Sequence, residues 1–362
     1  MTEQSFVGGK LLDTGTYSCI FDPPLKCRSR SVHKSNISRK QIFQGTQRMI
    51  SKLMMDEEAE IEWAISEKIR KIPQWKRYFS VSETMCELNP SAERNEPELK
   101  TKCQVIKYIS TKQLRVLQMP FAGVPIYNHT IPRDFSLTRF IVHILEAASL
   151  LLVHHIIHFD LHPGNILIDK NIPRIIDFNL SMMADVSVPE SQLSYRYSRN
   201  FHLPQQPPDY TAVIGINQHK PKEKIIRNIK DKDIIREIQL KLTISDATIE
   251  TDISKMIDTN SFIKNGDITG WFRSYWTKID SWAIGTYIID MIKNHATTPQ
   301  IGHEYDRDKG KIRKVLQMLC TIDPEARWDC MQALEYMDSN SPIIKEHMKK
   351  WSSIYKQKTP LV

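Results

Sequence analysis

The sequence has few cysteines and no CxxC pair. Six cysteines are spread over 362 residues: Cys19, Cys27, Cys86, Cys103, Cys320 and Cys330. Without paired spacing, a zinc knuckle is not expected. A thin scatter of cysteines along a long chain is typical of reduced thiols in a cytosolic protein, so we expect free thiols and a cytoplasmic location.

The sequence also lacks membrane and export signals. No positively charged region followed by an apolar run opens the chain, so no signal peptide is expected. The most apolar helical stretch, 140–157, is interrupted by His143, Glu146, His154 and His155, which predicts a buried helix and no transmembrane segment. We find no internal repeat and no low-complexity block.

The charge balance is basic. The chain is 41% hydrophobic and 25% charged, which is ordinary for a globular protein, and its net charge is +8 with an isoelectric point near 9.0. A basic surface favours anionic partners: nucleotides, an acidic protein, nucleic acid or an anionic membrane. The alternative is a generally basic surface with no such partner.

The chain consists of two consecutive regions with different patterns of apolar and polar residues. Residues 1–120 alternate like strands around one helical run that starts acidic and ends basic near 56–72, as a helix dipole favours. Residues 121–362 are mostly helical in pattern, and within them 215–265 form a mixed-charge insert. This insert is expected to be a solvated helical face, with a docking surface as the alternative.

The stretch HFDLHPGNILID, residues 158–169, carries the chemistry. Asp160 is placed to hold an acceptor hydroxyl and receive its proton. The amide oxygen of Asn165 and the carboxylate of Asp177, in IIDFN, are hard ligands that suit Mg²⁺. Each residue alone is as well explained by a turn, because Asp, Asn, Pro and Gly all favour turns. The combined pattern predicts a metal-phosphate site.

These motifs resemble the protein kinase-like superfamily. HFDLHPGN resembles the catalytic loop H-R-D-L-x-x-x-N, and DFN resembles D-F-G. KIDSWAIG resembles the segment in which Asp280 would hold the catalytic-loop backbone, while QQPPDY and DPEAR would supply an ion pair between Asp209 and Arg327. The resemblance implies an α+β, bilobal kinase-like fold, with a β-rich N-terminal lobe over residues 1–120 containing one main helix. Residues 121–362 would form a larger, mostly α-helical lobe.

The same resemblance implies ATP and Mg²⁺ as cofactors and assigns the nucleotide contacts. Gly15 and Tyr17 would cover the phosphates, and Ile20 and Met119 would contact the adenine. Lys52 would bind the phosphates, favoured over Lys26 because its neighbours form a strand-like apolar pattern. Glu62 would be the partner of Lys52, with Glu58 as the alternative. Lys52, Glu62, Asp160 and His162 are thus the predicted catalytic residues.

Three departures from the kinase pattern keep other functions open. Phe159 replaces the Arg that reads an activation-loop phosphate, His162 replaces a Lys, and Asn179 replaces the Gly of D-F-G. We expect a protein serine/threonine kinase, resembling those of large DNA viruses, acting on a protein substrate in the host cytoplasm or virion. DLHPGN is closer to small-molecule kinases of the superfamily, which form one alternative. A catalytically weak scaffold is the other.

Overall fold

The computed structural model describes residues 9–15, 18–28, 33–34, 48–89, 99, 102–103, 110–184 and 203–356. The chain divides into two compact units, one of Met1–Gly123 with Ile176–Asn179, the other of Val124–Ile175 with Leu180–Val362. This division lies three residues after the boundary predicted at residue 120. The assignment of a nucleotide role to one lobe and a substrate role to the other stays a prediction.

The first unit is built on an antiparallel sheet. Its six described strands run in the order β1-β2-β4-β6-β5-β3. They are β1 Lys10–Thr14, β2 Ser18–Asp22, β3 His33–Lys34, β4 Met49–Met55, β5 Thr84–Glu87 and β6 Leu114–Pro120. Helix α1, Asp56–Ile69, follows β4 without a loop, and the short α2, Trp75–Tyr78, follows it. The strand around Lys52 and the helix with an acidic start form as predicted, and β1 and β2 pair as a hairpin.

Both faces of this sheet are covered. Ile50 and Met54 of β4 point to one face, where Ala59 and Trp63 of α1 pack on them. Leu53 points to the opposite face and packs with Phe21 of β2. This alternation follows from the two-residue period of a strand. It explains why β4 reads as an almost continuous apolar run rather than as an alternating one.

Two disulfide bonds close the second face, which corrects the prediction of free thiols. Cys19 of β2 is bonded to Cys103, and Cys27 is bonded to Cys86 of β5. All four lie in or beside the apolar cluster of Phe21. Cys320 and Cys330 are free thiols, the state that was predicted for all six cysteines, and both are buried. The argument from reduced thiols to a cytoplasmic location therefore fails for four cysteines.

The second unit is mostly helical, with short strands near its start. The strands are β7 Val124–Pro125, β8 Ile156–Ile157, β9 Ile166–Asp169, β10 Ile172–Ile175 and β11 Met182–Met183. They form a three-stranded sheet, β10-β9-β7, and a β11-β8 pair. The helices are α3 Leu137–Val153, α4 Pro208–Asn217, α5 Lys222–Lys230, α6 Asp233–Leu242, α7 Asp246–Thr259, α8 Ser261–Lys264, α9 Ile268–Tyr275, α10 Ile279–Asn294, α11 Pro299–Leu319, α12 Cys330–Met337 and α13 Pro342–Lys356. Short 3₁₀ turns lie at Thr111–Gln113, Ile126–Asn128 and Trp276–Lys278.

Helix α3 forms the centre of the second unit. Twelve of its seventeen residues are buried, and Ser136 caps its first turn by accepting a hydrogen bond from Arg139 N. Helices α10, α11, α12 and α13 all pack against it. The predicted α+β class is therefore confirmed, with one main helix in the sheet-rich unit and a larger helical unit. Among the residues that the structure describes, no helix is long and apolar enough to cross a membrane.

Candidate functional site

Lys52 lies at the centre of a buried charge cluster in the first unit. Its Nζ donates to Glu62 Oε2 and to Asp177 Oδ1, both at 2.7 Å. The side chains of Lys52 and Glu62 are each 3% exposed, and that of Asp177 is 30% exposed. The local cause is simple: β4 places Lys52 on the face that carries α1, and Glu62 lies on the buried stripe of that helix.

The charges in this cluster depend on each other. Burial alone would lower the pKa of the Lys52 ammonium, but the carboxylates of Asp177 and Glu62 outweigh it and raise that pKa above its ordinary value. Burial raises the pKa of Glu62, and Lys52 opposes that rise. Lys52 is therefore a firmly held cation, suited to binding an anionic group.

Asp177 itself has an unusual backbone. Its φ is 62°, in the left-handed region that residues other than glycine adopt at a cost of about 1–3 kcal/mol. Asn179, which replaces the glycine of the D-F-G pattern, is not among the positive-φ residues. The left-handed residue of this turn is therefore Asp177, which also pairs with Lys52.

The other predicted nucleotide contacts are partly described. Ile20 of β2 stands opposite Lys52 in the strand register, and Ile20 and Met119 pack in the same apolar cluster. Gly15 N donates to Ser18 O at 2.8 Å and closes the β1–β2 turn. Tyr17 lies outside the described residues.

The rejected alternatives differ clearly from the predicted pair. Lys26 is exposed, in a segment without regular structure. Glu58 is half-buried in the first turn of α1, and its Oε2 has no hydrogen-bond partner among the described residues. Lys52 and Glu62 are therefore the lysine and glutamate that the fold brings together.

In the second unit, Asp280 holds the backbone of the segment before Asp160. Its Oδ2 accepts from His158 N at 2.7 Å and its Oδ1 from Phe159 N at 2.9 Å. This is the contact that the motif resemblance implied. Burial raises the pKa of Asp280, and its interactions with His158 and the two backbone donors oppose that rise. Phe159 has φ 71°, so the backbone before Asp160 is held in a conformation that needs such support.

Asp160 is surrounded by three polar side chains. Gln205 Nε2 donates to Asp160 Oδ1 at 2.7 Å. Asn165 Nδ2 donates to Asp160 O at 2.9 Å and lies 3.4 Å from Oδ2. His162 Nε2 lies 3.7 Å from the same Oδ2. The carboxylate of Asp160 is 20% exposed, so it is oriented by neighbours yet reachable from solvent.

His162 is oriented by its own turn. Gly164 N donates to His162 Nδ1 at 3.0 Å, which leaves the proton of a neutral ring on Nε2, the nitrogen facing Asp160. A Cβ at Gly164 would lie 2.7 Å from His162 Cε1, so this approach requires glycine. The sequence His162-Pro163-Gly164 thus sets the ring direction.

The predicted ion pair between Asp209 and Arg327 is fully buried. Arg327 Nη2 donates to Asp209 Oδ1 at 2.7 Å, and both side chains are 0% exposed. Trp271 Nε1 donates to the second oxygen, Asp209 Oδ2, at 2.9 Å. The pair fixes the start of α4, immediately after the segment that carries Gln205.

The donor chemistry of the two predicted metal ligands fits Mg²⁺. Asn165 commits its amide nitrogen to Asp160 O, which leaves the amide oxygen as the atom for a cation. Asp177 supplies a part-exposed carboxylate. Within the described ranges no group of three or more His, Cys, Asp or Glu side chains is arranged to hold a metal. Carboxylate and amide oxygens are hard ligands of the kind that Mg²⁺ prefers.

Comparisons with known proteins agree with the motifs. Residues 129–188 match the family model of the Phosphotransferase enzyme family. This stretch contains Asp160, Asn165 and Asp177, and within it the resemblance to the protein kinase-like superfamily is confirmed. The match supports a kinase-like phosphotransferase. A search of curated protein sequences found no match.

One solved structure similar to this chain is the kinase domain of a Toxoplasma gondii specific rhoptry antigen. The two are 11% identical, the match covers 97% of this chain and 83% of that chain, and the TM-score is 0.45.

Sequence reasoning missed two residues near Asp160. Gln205 is the first residue of QQPPDY, but the motif pattern assigns no role to it. Lys232 was counted within a solvated charge run, but it is buried, and its Nζ donates to Gln206 O at 3.0 Å and Thr211 Oγ1 at 2.8 Å. A lysine followed by D-I-I in an amphipathic helix offers no signal that it points inward.

Proposed function

We propose that the chain is an ATP- and Mg²⁺-dependent protein kinase that phosphorylates Ser or Thr. The observation that carries this proposal is the buried Lys52, held between Glu62 and Asp177. Burying a cation with two carboxylates costs desolvation energy that an apolar replacement would avoid. A scaffold that only binds partners gains nothing from this arrangement, whereas a protein that binds nucleotide phosphates does.

Each predicted residue then has a role. Lys52 binds the nucleotide phosphates, with Gly15, Tyr17, Ile20 and Met119 as further nucleotide contacts. When bound, Mg²⁺ would neutralise phosphate charge, with Asn165 and Asp177 as its protein ligands.

Asp160 orients the acceptor hydroxyl and receives its proton. His162 directs Nε2 toward Asp160 Oδ2, at the position where a Lys stands in Ser/Thr kinases.

The protein acceptor is supported by the buried pair of Asp209 and Arg327. This pair fixes a segment that kinases acting on proteins use to bind substrate and that small-molecule kinases usually lack. The resemblance to viral kinases remains a prediction.

A small-molecule acceptor is the second candidate. One observation favours it: the turn His162-Pro163-Gly164, within the stretch DLHPGN that resembles small-molecule kinases, orients the imidazole toward Asp160. In this case the same nucleotide and base residues act on a hydroxyl of a metabolite.

The test is phosphoryl transfer by the purified full chain. The protein is incubated with γ-labelled ATP and Mg²⁺, and separately with casein and with a panel of small hydroxyl compounds. Asp160→Asn should reduce transfer by about 10²- to 10⁴-fold with unchanged nucleotide affinity. Lys52→Met should weaken both phosphoryl transfer and nucleotide affinity. Lys26→Met, at an exposed lysine, should behave as wild type.

A second pair of matched variants tests whether the carboxylate that α1 supplies to Lys52 is needed for activity. Glu62→Gln removes the charge bonded to Lys52, whereas Glu58→Gln alters a carboxylate without that bond. We expect loss of activity only in the first. Labelled casein supports a protein kinase, and labelled small compounds alone support the second candidate. Absence of Mg²⁺-dependent nucleotide binding, measured calorimetrically, would leave the scaffold as the explanation.

A further inference from the structure

We propose that Gln205 is a positioning residue that fixes Asp160 Oδ1 and thereby assigns Oδ2 as the atom that accepts the proton. The proposal rests on the proposed function, because it assumes that Asp160 is the base. Its basis is the 2.7 Å hydrogen bond from Gln205 Nε2 to Asp160 Oδ1. A hydrogen bond to an ionised carboxylate is short and directional, so it restricts rotation of the group.

The backbone on both sides of Gln205 is held. Trp282 Nε1, from α10, donates to Pro204 O at 3.1 Å. Lys232 Nζ, from the residue preceding α6, donates to Gln206 O at 3.0 Å. Gln205 itself is 8% exposed. A side chain whose two neighbours are anchored to different helices starts from a fixed position, and its amide therefore has little freedom to leave Asp160.

The second oxygen of Asp160 faces a different environment. Oδ2 lies 3.4 Å from Asn165 Nδ2 and 3.7 Å from His162 Nε2. Neither contact is as short as the Gln205 bond, and the His162 side chain is 39% exposed. Oδ2 is thus the oxygen that an entering hydroxyl can reach beside His162, while Oδ1 is already occupied.

The reaction then uses the two oxygens differently. The acceptor hydroxyl gives its proton to Oδ2 as its oxygen bonds to the terminal phosphorus of ATP. The bond from that phosphorus to the bridging oxygen breaks, and its electron pair leaves with ADP. Gln205 contacts none of these atoms. It acts by keeping Asp160 in the orientation in which Oδ2 meets the hydroxyl, and errors of about 1 Å in such positions cost on the order of 100-fold in rate.

The adjacent glutamine is a matched control. Gln206 is similarly buried, at 5% exposure, but its Oε1 has no hydrogen-bond partner in the described structure. Gln205→Met and Gln206→Met remove the same amide from consecutive positions. We expect Gln205→Met to lower kcat by roughly 10- to 100-fold with KM changed less than threefold. Gln206→Met should stay within threefold of wild type in both constants.

Gln205→Glu supplies a readout that a structural role would not move. A carboxylate at this position would lie beside Asp160 Oδ1 and disfavour its ionised form, so the acidic limb of the pH profile of kcat/KM should move to higher pH. The profile of Gln206→Glu should not move. Circular dichroism and thermal melting of each variant identify any that fail to fold, and the Met and Glu variants test the same contact independently.

The outcomes separate the two claims. If wild type transfers phosphate and Asp160→Asn does not, but both Gln205 variants match their Gln206 controls in kcat and pH profile, Gln205 has no positioning role and the proposed function stands. If wild type transfers phosphate to neither class of acceptor, both proposals are overturned. A kcat loss and a shifted acidic limb confined to Gln205 support the inference.

Discussion

The two disulfide bonds of the first unit give a prediction whose magnitude follows from their nesting. Cys27–Cys86 lies inside the loop closed by Cys19–Cys103 along the chain. The perturbation is removal of each bond by paired Cys→Ser substitution, and of both together. Because each bond shortens the loop that the other closes in the unfolded chain, their contributions are not independent.

The contribution of each disulfide bond to the free energy of unfolding follows from loop-closure entropy. Alone, the loops of 59 and 84 residues correspond to about 4.2 and 4.6 kcal/mol at 25 °C. With the inner bond present, the shortest path between Cys19 and Cys103 is about 25 residues, and the outer bond adds only about 3.5 kcal/mol. Losing the outer bond should therefore cost about 3.5 kcal/mol, losing the inner about 3, and losing both about 8. The double loss exceeds the sum of the single losses.

The assay is guanidinium unfolding, followed by tryptophan fluorescence, with and without a phosphine reductant. Wild type should lose most of its stability in reductant, since about 8 kcal/mol is comparable with the whole stability of a typical domain. The variant lacking all four cysteines should give the same curve in both conditions. Non-reducing peptide mapping should identify the two pairs directly. Equal wild-type midpoints in both conditions, or four freely alkylated thiols in the oxidised protein, would refute the reasoning.

Three further predictions concern the second unit. Arg327→Met leaves the buried carboxylate of Asp209 without its cation, so guanidinium unfolding should show a loss of about 3–5 kcal/mol; a loss below about 1 kcal/mol would contradict the role of the pair. Burial lowers the pKa of Lys232 from 10.5 to about 7. The unfolded chain then binds more protons between pH 7 and 10, so stability from this group rises with pH, and Lys232→Met should lower the slope of unfolding free energy by up to about 1.4 kcal/mol per pH unit; identical slopes would exclude this. Asp280→Asn weakens the acceptor for two backbone donors, so kcat should fall roughly tenfold while the fold remains, and an unchanged kcat in the labelled-ATP assay would count against it.

The features predicted correctly from the sequence are those that local geometry or the order of the motifs determines. Lys52 and Glu62 are only ten residues apart, and a strand followed directly by a helix leaves few ways to orient them. Asp209 and Arg327 are 118 residues apart, yet the motif order places them together. Helix α3 was predicted because the apolar residues of 140–157 follow a helical pattern, while His143, Glu146, His154 and His155 argue against a membrane span.

The disulfide pairs could not be predicted from cysteine spacing. Cys19 and Cys86 lie on β2 and β5, which are separated by β4 and β6 in the sheet. Cys27 lies between β2 and β3 along the chain, and Cys103 lies between β5 and β6. Which cysteines meet is decided by the strand order and by how the connecting segments cross the sheet, and neither is encoded in the distances between cysteines along the chain.

The surroundings of Asp160 were predicted only in part, for a different reason. Asn165 belongs to the same loop, and its position follows from the turn at His162. Gln205 reaches Asp160 from a segment 45 residues later. Glutamine has no fixed chemical role that would draw attention to it in a sequence, and the contact exists only because tertiary packing anchors its two neighbours.

The charge pattern of the mixed-charge insert predicted its solvent-facing side but did not reveal its buried side. Its outer faces behave as predicted: Lys222 pairs with Asp258, and Lys230 pairs with Asp246, at exposed positions. The opposite faces bury a row of isoleucines: Ile225, Ile229, Ile235, Ile238, Ile249, Ile253 and Ile257. Lys232 belongs to the same charged run but points inward, to the carbonyl next to Gln205. The insert is thus part of the packing that holds the segment of Gln205, the residue that contacts Asp160. The charge pattern of the insert describes only the side that faces water.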